Sequence, residues 1–546
     1  MSNPSQSGED WWRGAVIYQI YPRSFQDSNG DGIGDLRGII TRLPYVASLG
    51  VDAIWISPFF KSPMLDFGYD VEDYCDVDPM FGTLADFDAL VEEAHRLGLK
   101  VMIDQVLSHT SDKHPWFVES RASRKKPKAD WYVWCDAKPD GSPPNNWLSV
   151  FGGSSWEWDS VRRQYYLHNF LREQPDLNFH NPQVQDAILD TVRFWLERGV
   201  DGFRLDTVNF YFHDAELRDN PPVAEDDPGR EGTNPYGFQN HLHDKTRPEN
   251  LEFLRRFRAL LDEYGGRAAV GEVGDDRERS LKIVSDYTSG GDKLHKCYTF
   301  DLLGPDFSSD FIRNEINTFE RGVKDGWICW AASNHDVPRH VTRWTPPGAD
   351  PDRTAMFALT LLMTLRGSVC IYQGEELGFG EAEVAFEDLQ DPYGIRFWPG
   401  FKGRDGCRTP MAWDAAEPNA GFSAGKPWLP VSATHITRAV AAQEEPDGSV
   451  LNAYRRMIAL RRSHPALRAG AIRLVPSVGE VLAFVREEAR EPILCVFNFA
   501  EEAVEWPLPV AAGEVARPLD EPALGASWNG TSVSLPGRSA FLALLV

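Results

Sequence analysis

The chain has 546 residues, with 56 Lys and Arg against 81 Asp and Glu, a formal charge of −25, and 42% hydrophobic residues. This composition excludes a disordered chain, and the acidic balance argues against nucleic acid, whose binding rests on clustered Lys and Arg. Seven cysteines without a C-x-x-C pair give no zinc cage or redox motif, and the absence of a leader pattern or of the ~18-residue apolar run that a membrane span needs sets the expectation of a soluble, cytoplasmic protein.

Strand candidates, runs of β-branched and aromatic residues, occur at 15–21, 53–58, 99–106, 202–208, 268–273, 296–301, 329–335 and 369–375. Helical patterns lie between them. Over 83–98, Thr83 can cap with Asp86 three residues on, Phe87, Leu90, Val91, Ala94 and Leu97 share one face, and Gly98 stands at the end. Asn181 and Pro182 open a second helix over 183–199, with the stripe Val184, Ala187, Ile188, Val192 and Trp195. Eight strand-helix repeats predict a (β/α)8 TIM barrel.

Three intervals break the rhythm. About 95 residues separate the third and fourth strands, so 1–108 and 181–470 are assigned to the barrel and 109–180 to an inserted, loop-rich domain. Long loops at 217–248 and 377–440 fall on the strand C-terminal side, the active face of a barrel. From 471 to 546 the pattern turns to alternating strands such as 481–485 and 493–499, which predicts a C-terminal β-sandwich. The basic run from Arg121 to Lys128 reads as a solvated loop.

Polar residues at the ends of apolar strands are costly to bury without purpose. Asp104 and His109 follow strand 3, Arg204 and Asp206 sit in strand 4, Glu272 ends strand 5, and His335 and Asp336 end strand 7. Seven such residues on one rim point to an active site. A separate run, Asp27, Asn29, Asp31, Ile33 through its carbonyl, and Asp35, has the oxygen spacing of a calcium loop, with Gly38 in place of the Glu at position 12. One structural Ca²⁺, or Mg²⁺ in a tight loop, is expected there.

The segments YQIYPRSFQDSNGDGIGDLRGI (18–39), DQVLSHTS (104–111), QPDLN (174–178), GFRLDTVN (202–209), GEVG (271–274) and SNHD (333–336) resemble, in order, the motifs of glycoside hydrolase family 13, the α-amylase family. QPDLN and GRDGCRTPMAWD (403–414) are similar to its α-glucosidase and oligo-1,6-glucosidase branch.

The resemblance implies a retaining glycosidase, in which one carboxylate attacks the anomeric carbon and a carboxylic acid protonates the leaving oxygen. Asp206 is then the nucleophile, Glu272 the general acid/base and Asp336 the third carboxylate, with His109 and His335 on the sugar ring. Arg204, two residues before Asp206, faces the same side and can bond to it. Exo-acting relatives imply that Asp66 and an Arg, Arg404 or its competitor Arg408, clasp the non-reducing end above a Tyr69 platform. Thr207 implies α-1,4 preference, where Val goes with α-1,6. Ser108 before His109 departs from the DxxxNH pattern, so the family's interdomain calcium site is not expected.

Expected substrates are small α-glucosides (maltose, malto-oligosaccharides, sucrose or aryl glucosides) and, for transglucosylation, acceptor alcohols. Alternatives in the same family are an oligo-1,6-glucosidase, a dedicated α-glucosyltransferase, or a sucrose- or trehalose-converting enzyme. A catalytically dead relative, such as a transporter heavy chain, would lack the carboxylates and carry a membrane span.

Overall fold

The computed structural model describes residues 10–224, 232–323, 325–477, 479–509 and 515–545. Within the predicted 217–248 loop, residues 225–231 therefore lie outside the described residues. All eight expected strands form: β1 (Val16–Ile20), β2 (Ala53–Ile56), β3 (Lys100–Gln105), β4 (Gly202–Leu205), β5 (Ala268–Val273), β6 (Lys296–Thr299), β7 (Cys329–Ala331) and β8 (Ser368–Tyr372). They lie in the order β6-β5-β4-β3-β2-β1-β8-β7, with parallel pairing. A parallel bridge between Cys297 and Ile328 joins the two ends and closes the barrel.

Every β1 residue is buried, as in a parallel sheet covered on both faces. Ile17, Trp55, Met102, Val270 and Tyr298 face the inside, and Trp11, Trp12 and Trp327 pack with them. Between strands and outer helices lies the main core, to which Val91, Ile188 and Trp195 contribute. The Leu84–Arg96 helix starts at a reciprocal Thr83–Asp86 capping box, and the Pro182–Glu197 helix starts at Asn181, whose side chain accepts from the Gln183 amide.

Several expected strands end early, β8 at Tyr372 among them, and two of these bear on the site. β4 stops at Leu205 and β7 at Ala331, so Asp206, His335 and Asp336 lie in the turns beyond them rather than in the ladder. At β4 the cause is visible, because Thr207 has a positive φ of 40° that no strand accommodates. Asp104, in contrast, lies within β3.

Segment 109–180 carries a three-stranded antiparallel sheet of Trp134–Cys135, Gln164–Leu167 and Trp156–Asp159. Beyond residue 470, a five-stranded sheet and a three-stranded sheet pack face to face through Val485, Leu494 and Phe541 on one side and Trp506, Val533 and Leu535 on the other. Arg486, fully buried, donates to the carbonyls of Thr364, Leu365, Leu467 and Gly470, which ties this unit to the barrel.

In the QPDLN segment, Asp176 is buried and accepts from the Asn169 amide group. Burial pushes its carboxyl up to about 8. A carboxyl raised above its unfolded value of 3.8 keeps a proton that the unfolded chain releases, so the fold loses stability as pH climbs from about 4 to about 8. Asp176→Asn should flatten this dependence by about 1.4 kcal/mol per pH unit. Urea unfolding at pH 5 and pH 7.5 measures it, and equal slopes in both proteins would contradict the assignment.

Candidate active site

The end of β5 and the segments after β2, β3, β4, β6, β7 and β8 line one cavity of about 220 Å³, through Asp66, Tyr69, His109, Asp206, Thr207, Glu272, Asp336 and Arg404 together with Val150, Phe151, Phe170, Phe300 and Tyr393. Arg204 and His335 are fully buried beneath this lining. All ten expected catalytic and substrate-binding residues are thus brought together.

Arg204 is the hub. Register sets Asp104 directly opposite it on β3, and its Nη1 donates to Asp104 at 2.8 Å and to Asp206 at 2.6 Å. Its Nη2 lies 2.6 Å from Glu272 Oε1 and donates to the Tyr298 hydroxyl at 2.8 Å. Tyr298, the β6 partner of Glu272 in the ladder, donates in turn to Glu272 Oε1 at 2.8 Å. The Thr207 amide donates to Glu272 Oε2 at 3.0 Å, which the left-handed backbone of Thr207 makes possible. The turn is pinned from both sides, by the Asp206 amide on the Gln105 carbonyl and the Val208 amide on the Glu272 carbonyl.

Three carboxyls around one guanidinium cannot all remain charged at ordinary cost. Burial lifts Asp206 well above the carboxylate range against the pull of Arg204, and the charges of Glu272 and Asp104 add to the lift. Burial likewise raises Asp104 to about 6. Asp206 and Glu272 hang on neighbouring nitrogens of the same guanidinium. Asp336 differs: burial opposes its charge, but His335, Arg408 and Arg404 hold it far below the ordinary range.

The floor is ionic. Arg404 Nη2 donates to Asp66 at 2.8 Å and to Asp391 at 2.8 Å. Arg408 instead donates to Asp336 at 2.9 Å and to the His335 carbonyl at 2.7 Å, so of the two candidates Arg404 forms the pair with Asp66. Tyr69 stacks on His335 with an interplanar angle of 4°, donates to Asp104 at 3.1 Å and meets His335 Nε2 at 2.5 Å. Burial lowers His335 to about 3 and His109 to about 4, so both rings are neutral near pH 7. His109 Nδ1 meets Ser108 Oγ at 2.8 Å, and the same Ser108 Oγ meets Thr207 Oγ1 at 3.2 Å.

Sequence reading missed Tyr298, Asp391 and the aromatic wall. Tyr298 sits in a strand where tyrosine reads as packing, and Asp391 precedes Pro392 as an ordinary helix cap.

Over residues 19–470 the chain matches the α-amylase catalytic domain, and over 472–540 the maltogenic amylase C-terminal domain. The chain belongs to the α-amylase family, glycoside hydrolase family 13. It is a glycoside hydrolase, similar to a probable α-glucosidase of Rhizobium meliloti (61% identity, covering 98% of this chain and 97% of that protein). The oligo-1,6-glucosidase of Parageobacillus thermoglucosidasius is 37% identical, with 91% and 92% covered. Among solved structures, the α-glucosyl transfer enzyme XgtA superposes with a TM-score of 0.94 at 56% identity over 98% of this chain and 99% of that one. The trehalulose synthase MutB superposes with a TM-score of 0.87 at 33% identity over 98% and 100%.

The calcium-type loop stands apart from this cavity. Asp27 accepts from the amides of Asn29, Gly30 and Gly32 and from Ser423 Oγ, Asn29 Oδ1 accepts from the Asp31 amide, and Asp31 Oδ1 accepts from the Ile33 amide. Burial opposes the Asp27 charge, yet these bonds hold the carboxyl below its ordinary value. Asp35 caps the following helix at Gly38 and accepts from Ser28. Among the described residues no group of three or more His, Cys, Asp or Glu side chains converges as a metal site.

Replacing Arg204 by Met would leave Asp104, Asp206 and Glu272 without their shared counter-ion. A loss of about 3–5 kcal/mol in unfolding free energy is expected, as for a buried ion pair stripped of one partner. Denaturant unfolding measures it, and an unshifted midpoint would contradict the hub assignment.

Proposed function

We propose that this glycoside hydrolase is a retaining, exo-acting α-glucosidase that removes one terminal glucose from disaccharides and short oligosaccharides, α-1,4 linkages foremost. The observation that carries this reading is the bridging of Asp206 and Glu272 by Arg204 at the mouth of a small cavity floored by the Asp66–Arg404 pair. Two carboxyls on adjacent nitrogens of one planar group suit the short separation of a retaining pair, about 5 Å, in which no water fits between acid and sugar.

Asp206 attacks the anomeric carbon while Glu272, as the acid of the pair, passes a proton to the leaving oxygen. Glu272 then takes a proton from water, whose oxygen displaces Asp206 and restores the α configuration. Asp336, held ionised, stabilises positive charge on the ring in both transition states. The Asp66–Arg404 pair closes the far end, so a longer chain has nowhere to extend, and that favours release of single glucoses. Thr207 Oγ1, 3.3 Å from Asp206, lies on the leaving-group side and supports the α-1,4 preference.

Transfer of glucose to an alcohol is a second outcome of the same intermediate. A cavity of about 990 Å³ adjoins the small one and shares Val150, Phe170, Thr207, Glu272 and Phe300 with it, which is ample for an acceptor. Expected partners are therefore maltose, malto-oligosaccharides, sucrose or aryl α-glucosides as donors and alcohols as acceptors. All seven cysteines are unpaired, which supports a cytoplasmic setting, and among the described residues no helix is long and apolar enough to cross a membrane.

We further propose one structural Ca²⁺, with Mg²⁺ as the tighter alternative, held by Asp27, Asn29, Asp31, the Ile33 carbonyl and Asp35. The donor set is all oxygen, as a hard cation takes, and Asn29 Oδ1 and Asp31 Oδ1 each accept one amide and keep a second lone pair, while Asp27 and Asp35 would exchange present hydrogen bonds for the ion. The ion would stiffen the loop that leads into the Leu36–Ser48 helix.

Anomeric NMR during maltose cleavage should show α-glucose first, and kcat/KM for maltose should exceed that for isomaltose. First-formed β-glucose would contradict retention, and equal turnover of the two sugars would contradict the reading of Thr207. For the cation, Ca²⁺ added after EDTA treatment should raise the midpoint of thermal unfolding; a midpoint indifferent to both would contradict the loop assignment.

A further inference from the structure

The large cavity beside Glu272 has mostly apolar walls, among them Phe210, Val223, Tyr236, Leu242 and Phe300, yet an ammonium group stands in it. Lys245 is 5% exposed. Its Nζ donates to the Gly274 carbonyl at 2.8 Å and lies 4.9 Å from the centre of the Phe210 ring and 5.7 Å from that of Tyr236. An ammonium has three N–H donors, and among the described residues this one makes no ion pair or hydrogen bond with a carboxylate, although the charges of Asp275, Asp244 and Asp276 act on it from farther off. The nearby acids are engaged elsewhere: Asp275 with Arg279 at 2.6 Å and Thr246 at 2.7 Å, and Asp244 with His241 at 2.5 Å. A buried cation with donors to spare is costly unless a ligand takes them.

Its position is fixed relative to both reacting carboxyls. Gly274, which it bonds, is two residues beyond Glu272, and the same carbonyl accepts from Asn209 Nδ2 at 3.0 Å, three residues beyond Asp206. Asn209 also holds the backbone next to the lysine, accepting from the Thr246 amide at 2.6 Å and donating to Thr246 Oγ1 at 2.8 Å. Glu272 and Lys245 line the same cavity of about 990 Å³, space enough for a six-membered ring with an oxygen at each end.

We propose that Lys245 is the specificity-determining donor for the leaving group and the acceptor, binding a second oxygen that lies across a six-membered ring from the oxygen Glu272 protonates. This rests on the α-glucosidase reading above and names the chemistry of its aglycone side. The ring lies between Phe210 and Tyr236, one oxygen at Glu272 and the opposite one at Lys245. In an α-1,4-linked glucose the leaving oxygen and the reducing-end oxygen stand in this relation, so Lys245 adds to the preference that Thr207 suggests.

The test compares kcat/KM for maltose with that for cyclohexyl α-glucoside, whose leaving ring has no second oxygen, in the wild type, Lys245→Met and Lys245→Arg. In the wild type maltose should be preferred, and Lys245→Met should lower the maltose-to-cyclohexyl ratio by about tenfold, the loss of one hydrogen bond to a charged group, mainly through the KM for maltose. Lys245→Arg, which keeps a donor, should retain most of the ratio. With an aryl α-glucoside as donor, the preference for trans-1,4-cyclohexanediol over cyclohexanol as acceptor should fall in parallel. A ratio unchanged in Lys245→Met, or an equal loss on both substrates, would overturn the proposal, the latter by showing that Lys245 only braces Gly274. Failure of the wild type to cleave either glucoside would overturn the α-glucosidase reading itself.

Discussion

One buried guanidinium organises the site. Arg204 has no exposed surface, yet Asp104, Asp206, Glu272 and Tyr298 all bond to it. Removing any of these charges from water is expensive, and the arrangement is tolerable only because the cation and the carboxyls offset one another at close range. The cost is accepted where a barrel is most rigid, on adjacent strands whose backbones are hydrogen-bonded throughout. The same crowding adds to the lift that burial gives the Asp206 carboxyl.

The rest of the fold serves that point. Eight parallel strands deliver their C-terminal ends to one mouth, and the register places Asp104 opposite Arg204 and Glu272 beside Tyr298. Leaving the ladder at Leu205, with a left-handed Thr207, turns Asp206 toward the cavity and lends the Thr207 amide to Glu272. Segments distant in the chain supply the floor, Asp66 after β2 and Arg404 and Asp391 from the 377–440 loop, so the terminal pocket exists only once barrel and loops are assembled. The larger adjoining cavity is built from different material, with Phe210, Val223, Tyr236, Leu242 and Phe300 beside Lys245 and the charged Asp275, Asp276, Arg277 and Arg279, and it is the side to which the proposed function assigns what glucose leaves or joins.

Much of this was legible in the chain because the informative residues break a strong background. Arg204, Asp206 and Glu272 interrupt strands that are otherwise apolar, and Thr83, Asn181 and Gly98 mark helix ends by local chemistry alone. What stayed hidden depends on pairing between distant segments. Tyr298 looks like a core tyrosine until the register sets it against Glu272. Arg404 and Arg408 bracket a four-residue helix one turn apart, so spacing could not separate them, whereas the geometry gives Asp66 to the first and Asp336 to the second. The strands over 202–208 and 329–335 end before the polar residues Asp206 and Ser333–His335, where the chain leaves the ladder to present these side chains, and sequence pattern alone does not mark that point. Lys245 sits in a polar loop whose placement over Phe210 no local pattern encodes.

The central claim is that Asp206 becomes covalently glucosylated while Arg204 holds its partner in place. Incubation with 5-fluoro-α-D-glucosyl fluoride, followed by mass spectrometry of proteolytic fragments, tests it directly, because the fluorine slows breakdown of the intermediate more than its formation. A single fluoroglucosyl adduct on the peptide containing Asp206 is expected. An unmodified protein, or an adduct on any other side chain, would contradict it.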